Sequence, residues 1–415
     1  MPTAPVQPGT PPQSSAPSLD DFYVPGYRVL LKGKQQPHLE QDIISLTYND
    51  SLTAVDSVDM VVNNWDPGDP VPNLAVKGKF RYSDSPVFEP WQEIEVSMGY
   101  FRKGQDQLKL MLLGEIVTMA PNFPASGPST LNVRALNLMH QFRTQQKTLV
   151  FRDLKDTEIA QKIIADIATD LKGKLANLKL KMDDKEVAEN LKKEEKRPFL
   201  EMHNQYPIVF LMQRARDIGY DLTIEDVVDQ KTATRTVTFH YRLSGDVLRP
   251  VYTLEWGKSL ISFQPTLQTA RQVNAVTVKG WNVQTKQPIE ATATRAELSK
   301  ADRVVAPEDL AVTETSLAQK TEVIVDRGFK DPKEAKDVAL KTLRQIAQGL
   351  VEAKGKTIGL PDLHAGSKIE IKGLGRFDGT YQVTSTTHTL GDGGYTTDFS
   401  ARMEAKEKTP TRTGA

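Results

Sequence analysis

The chain contains no cysteine, which excludes disulfides, thiolate metal sites and a cysteine nucleophile. Net charge is missing too, because 53 Lys and Arg balance 53 Asp and Glu. A broad nucleic-acid footprint or a polybasic membrane contact needs excess cations, so neither is expected. No apolar run approaches the roughly 20 residues that span a bilayer. The opening stretch, MPTAPVQPGTPPQSSAPS, has neither the basic start nor the apolar core of a secretory leader. These absences point to a protein made and folded in the cytoplasm.

Recognisable chemistry is equally sparse. The six histidines form no HxH, HxxxH or HExxH pair. Walker A, GxSxG and kinase signatures are absent. The stretch GLGRFDG has glycines at 373, 375 and 379, misses the GxGxxG spacing and precedes no helix that could hold a phosphate. Paired glycosidase carboxylates can lie far apart in sequence, and no acid stands out as half of such a pair. No catalytic residue, metal ligand or cofactor-binding residue is singled out, and no cofactor is implied. The four tryptophans, at 65, 91, 256 and 281, are scattered and read as core or interface anchors.

What is present is alternation. With 415 residues the chain can hold two to four domains. Residues 1–21 form a Pro-rich arm that cannot bury apolar area and is expected to be disordered. After it, YRVLL places Tyr27, Val29 and Leu31 on one face, and EIEVSMGY places Ile94, Val96, Met98 and Tyr100 likewise. TLNVRAL repeats this with Leu131, Val133 and Ala135. Period-2 patterning marks half-buried antiparallel strands.

From about Lys155 the period becomes helical, with Ile159, Ile163, Ile167 and Leu171 in one stripe and Gly173 as its cap. The mixed-charge stretch KMDDKEVAENLKKEEKRP reads as a solvated loop or helix face. Ile208, Leu211, Met212, Ala215 and Ile218 form another stripe, closed by Gly219. Strands return with Val237, Phe239 and Tyr241. Residues 289–323 have little periodicity and read as a linker or long crossover. A helix follows, capped by Asp331 and ended by Gly355, before further strands from about Thr357 to Met403.

The chain also repeats itself. EIEVSMGY, LLGEIVTMAP and STLNVRAL, starting at Glu93, match KIEIKGLG, FDGTYQVTST and YTTDFSAR, starting at Lys368, in order and pattern. Gly114 and Gly379 open the second strand of each set. Such a repeat means one structural unit used twice. The first copy has Thr118 to Ala120 near the position of His388, with no histidine, so His388 reads as scaffold rather than as an acid–base group.

These segments resemble the phage late control gene D family, the baseplate hub of contractile tails and injection systems. YRVLLKG, FEPWQEIEVSMGY, HNQYPIVFLMQRARDIGYDL, LEWGKSLISFQP and LPDLHAGSKIEIKGLGRFDGTYQVTSTTHTL carry the resemblance, which extends from about Phe22 to Met403. It implies an α+β, β-rich fold with two tail-tube-like antiparallel β-barrels and α/β insertions. The expected order is a 22–150 first barrel, a 151–232 helical α/β insertion, a 233–330 β segment and linker, a 331–405 crossover helix and second barrel, and a 406–415 flexible tail. Gly114, Gly379, Tyr381, Val383 and His388 are the family-pattern structural residues.

The function implied is geometric: a homotrimer whose pseudo-six-fold ring joins a hexameric inner tube to a trimeric spike within a phage or injection-system baseplate. The expected partners are itself, the tube protein, the spike and other baseplate proteins. The chain stops soon after Met403 without a needle repeat, so the spike is expected to be a separate protein. Two other readings are a tail-borne cell-wall hydrolase and a peripheral binding or effector-loading module.

Overall fold

A computed structural model describes residues 24–66, 79–102, 105–143, 145–171, 178–229, 234–243, 252–282, 285–298, 320–325, 329 and 332–404. The arm, the tail, Gly173 and Asp331 lie outside the described residues.

The first β-rich unit comprises β1 (Val24–Leu31), β2 (Lys34–Gln35), α1 (Pro37–Asp42), β3 (Ile43–Ser51) and β4 (Ser57–Asn63). A small β5–β6 ladder (Trp65–Asp66 and Lys79–Phe80) follows, then β7 (Glu93–Arg102), β8 (Gln105–Asn122) and β9 (Thr130–Asn137). Alternation decides what is buried, since Val29, Met60, Ile94, Val96, Leu131 and Val133 line one core while their neighbours face outward.

The chain then enters a helical α/β unit. It comprises β10 (Lys147–Phe151), α2 (Asp156–Leu171), β11 (Leu178–Met182), α3 (Asp184–Lys193), β12 (Leu200–Gln205), α4 (Pro207–Ile218), β13 (Tyr220–Asp229) and β14 (Thr234–Leu243). The mixed-charge stretch is helical, with the Asp183 carboxylate accepting from the Lys185 and Glu186 amides as its cap. α4 starts on Pro207 and ends at Gly219, whose φ of 77° suits a left-handed cap. The ladder order is β11-β14-β13, so β14 belongs to this unit rather than to the segment after residue 233. Val237, Phe239 and Tyr241 complete its core because they lie on the face that α2 and α4 cover.

The second β-rich unit is assembled from separated pieces: β15 (Tyr252–Glu255) and β16 (Leu260–Leu267), then β20 (Val351–Ile358), β21 (Lys368–Lys372), β22 (Gly379–Gly391) and β23 (Gly394–Met403). Between β16 and β20 lie β17 (Ala275–Asn282), β18 (Gln287–Thr294), β19 (Thr321–Val325) and α5 (Pro332–Gln348). α5 packs Ala335, Ala339, Leu343 and Ala347 onto β17 and β18, not onto the barrel that follows. Part of the expected linker is thus the strand β18, which pairs with β17 along its length.

The expected end of α5 at Gly355 is corrected. The helix stops at Gln348, and Gly355 lies inside β20 facing Phe399. Val351, Ala353 and Gly355 are buried in alternation with Glu352 and Lys354, so period 2 has already replaced period 3.6.

The fold is α+β and β-rich, with two antiparallel β-barrel domains carrying α/β insertions. Among the described residues the two barrels share one sheet, in the order β16-β20-β23-β22-β3-β4-β9-β8-β7-β1-β2. β21 joins β22, and β15 joins β21 in the parallel sense.

Candidate assembly interface

The repeat is visible as a match between ladders. β1-β7-β8-β9-β4-β3 in the first barrel corresponds in order to β15-β21-β22-β23-β20-β16 in the second, although β1–β7 is antiparallel and β15–β21 parallel. Two shared irregularities support the match. β3 has an extra residue at Ile44 against β4, and β16 has one at Ile261 against β20. β8 is bulged between Ile116 and Thr118 opposite β9, and β22 between Val383 and Ser385 opposite β23. Bulges re-aim a strand and pin its register, so shared bulges carry more weight than shared alternation.

The ladders also revise the glycine equivalence. Gly114 lies opposite Ile94 and Asn137, whereas Tyr381 lies opposite the corresponding Ile369 and Met403. Gly114 therefore corresponds to Tyr381, and Gly379 falls two residues earlier. Gly114 is required by close approach, because a Cβ there would meet the Leu136 carbonyl oxygen at 2.1 Å. Tyr381 and Val383 are fully buried in the second core. The Tyr381 hydroxyl donates to the Phe377 carbonyl at 2.8 Å, and its ring meets Phe263 edge-on.

His388 lies where the two barrels join. It is 0% exposed, and its strand pairs with β23 on one side and β3 on the other. Its Nε2 is 2.9 Å from the Leu363 carbonyl oxygen, which can only accept, so Nε2 carries the proton. Nδ1 then accepts, with the Tyr395 hydroxyl at 2.9 Å and the Thr397 hydroxyl at 3.1 Å. Burial, with the His364 charge as a lesser cause, lowers its pKa to about 3. His364 bonds Asp50 at 3.0 Å, and Asp50 also accepts from the Ala365 amide. The structure thus brings together two histidines and an acid that sequence motifs did not connect, since Asp50 lies over 300 residues away. Among the described residues no group of three or more His, Cys, Asp or Glu could hold a metal ion.

A cavity of about 480 Å³ opens beside this junction, between the barrels and the helical unit. Its lining includes Asp50, His364, Leu112, Leu222, His240 and Arg242. His240 and Arg242 both bond the Glu186 carboxylate, which ties these side chains to α3. None of the four tryptophans is in a core: Trp65, Trp91, Trp256 and Trp281 are 41–68% exposed.

Similarity to solved structures agrees with this geometry. The 43 kDa tail protein of prophage MuSo2 from Shewanella oneidensis superimposes with a TM-score of 0.60 at 13% identity, over 91% of this chain and 98% of that one. The tail protein from Neisseria meningitidis MC58 gives 0.56 at 12% identity, over 92% and 97%. The chain has a phage tail-protein fold. Prophage tail protein gp18 from Listeria monocytogenes EGD-e gives 0.51 at 12% identity, over 92% and 95%. A model of the Alg8 N-terminal domain matches residues 242–392, just over a third of the chain. That stretch starts at the end of β14 and stops before β23, so it coincides with no structural unit of this tail-protein fold. No curated protein matches in sequence.

Proposed function

We propose that the protein is a structural baseplate hub that adapts a hexameric inner tube to a trimeric spike. The observation that carries this reading is the shared strand order and shared bulges of the two barrels, which differ in sense only at the outermost pair, antiparallel in β1–β7 and parallel in β15–β21. Three copies of a chain with two equivalent barrels present six similar units to a tube ring, while the remainder keeps three-fold symmetry. Tail-protein structures sharing the fold over nine-tenths of the chain support a place in a tail or baseplate. On this reading the domains run 22–150, 151–232, 233–330 and 331–405, with β14 joined to the second and β15–β16 to the last. Gly114, Gly379, Tyr381, Val383 and His388 act as structural residues, and no catalysis is involved. The protein is made in the cytoplasm and incorporated into a virion or injection particle, where it contacts the tube, a separate spike and other baseplate proteins.

The test is affinity purification of the tagged chain from its native host, with imaging of the eluate. Tagged tips on tubes or sheathed particles, in three copies with tube and spike proteins, are expected. A lone protein from cells that contain assembled particles would refute the reading.

A further inference from the structure

The two barrels meet within the chain through β3 and β22, in the register Thr386–Asp50, His388–Tyr48 and Leu390–Leu46. By the same equivalence β16 stands for β3, and the end of β8 stands for the outer half of β22. Both counterparts are open among the described residues. From Ser262 onward β16 pairs only with β20, and β8 beyond Ile116 pairs only with β9. Carrying the register across places Met119 opposite Leu267, Pro121 opposite Pro265 and Phe123 opposite Phe263.

That register is chemically sorted. All six of those residues are apolar. Met119 already packs against the first core, and Phe263 and Leu267 against that of the second barrel. Phe123 is 55% exposed, while its counterpart Leu390 is 8% exposed. The alternate positions pair Thr118 with Gln268, Ala120 with Thr266 and Asn122 with Gln264, as suits a solvated outer face.

The prolines add a second feature. Gln268 N–H donates to the Leu350 carbonyl, so even-numbered residues of β16 bond β20 and Pro265 turns its nitrogen to the open side. In β8, Ile116 bonds the Trp91–Gln92 side, and the bulge then turns Pro121 toward the open edge. Each open edge thus lacks a donor at its centre, a device that blunts indiscriminate strand pairing.

We propose that the partner at this edge is a second copy of the chain: β16 of one copy pairs antiparallel with Thr118–Phe123 of the next, repeating the β3–β22 seam between subunits. The proposal rests on the ring proposed above. The opposed prolines weaken each seam and bias the free chain against self-association until three seams close together.

The absence of cysteine makes the test clean. Ala120 and Thr266 form a non-hydrogen-bonded pair in this register, with Cα atoms about 4.5 Å apart, within disulfide reach. The full-length Ala120→Cys/Thr266→Cys chain, oxidised at high concentration, should yield covalent trimers on a non-reducing gel. Ala120→Cys/Gln268→Cys, two residues out of register at roughly 7–8 Å, should not. Pro121→Thr with Pro265→Thr restores two hydrogen bonds per seam, six per closed trimer, and should lower the concentration for half-association about a hundredfold. A chain that sediments as a trimer without the 120/266 cross-link overturns the seam and leaves the hub reading intact. Cross-linked chains that extend without closing at three support the seam and refute the hub. A monomer without cross-links, unchanged by the threonine substitutions, overturns the seam.

Discussion

Acidification should loosen the junction between the barrels through His388, and the structure sets the size of the effect. In the unfolded chain the imidazole has its ordinary pKa of about 6.5, while burial holds the folded group at about 3. Below pH 6.5 the unfolded state therefore binds more protons, and stability is lost as pH falls. The loss is about 1.4 kcal/mol per pH unit, begins near pH 6.5 and levels off near pH 3. Between pH 6.5 and 4.5 this one residue removes roughly 2–3 kcal/mol.

His388→Gln should cost about 1–3 kcal/mol at neutral pH by leaving buried hydrogen-bond partners unmatched, and it should abolish this share of the slope. Hydrogen exchange of β22 amides, corrected for intrinsic rates at each pH, reads the opening free energy of the seam. Asp50, His364 and Tyr395 face the site in both proteins, so their contributions are shared. Parallel pH profiles for wild type and His388→Gln would refute the burial argument.

Three further outcomes follow from packing. Gly114→Val should lower the melting temperature of the first barrel, with a cost of about 3 kcal/mol or more, because β9 backbone occupies the Cβ position. Asp156→Asn should destabilise the helical unit by about 3–5 kcal/mol in urea unfolding, since this 3% exposed carboxylate bonds both Arg197 and Arg214. Gly219→Val should cost about 1–2 kcal/mol through its left-handed φ, measurable as faster proteolysis at the α4–β13 turn.

Several elements were legible as sequence. The apolar stripe and Gly219 predicted α4, and alternation predicted the buried faces of β7, β9 and β14. The match of Glu93 with Lys368 also agrees with the ladders. The junction was not legible. His388, Asp50 and His364 meet only because β3 pairs with β22 across more than 300 residues. The glycine equivalence slipped by two for a definite reason: a two-residue shift keeps every side chain on its own face, so alternation cannot detect it.

The sequence by itself determined the absence of thiol chemistry, the β-rich character, the helix α4 with its cap and the existence of a repeat. These depend on composition and on periods of a few residues. The tertiary structure alone decided that β14 joins the helical unit, that α5 covers β17 and β18, and that β15 and β16 reach the second barrel. It also set the register that links the barrels. Those choices depend on which distant strand supplies hydrogen bonds and buried area, and a periodic pattern carries no record of its partner.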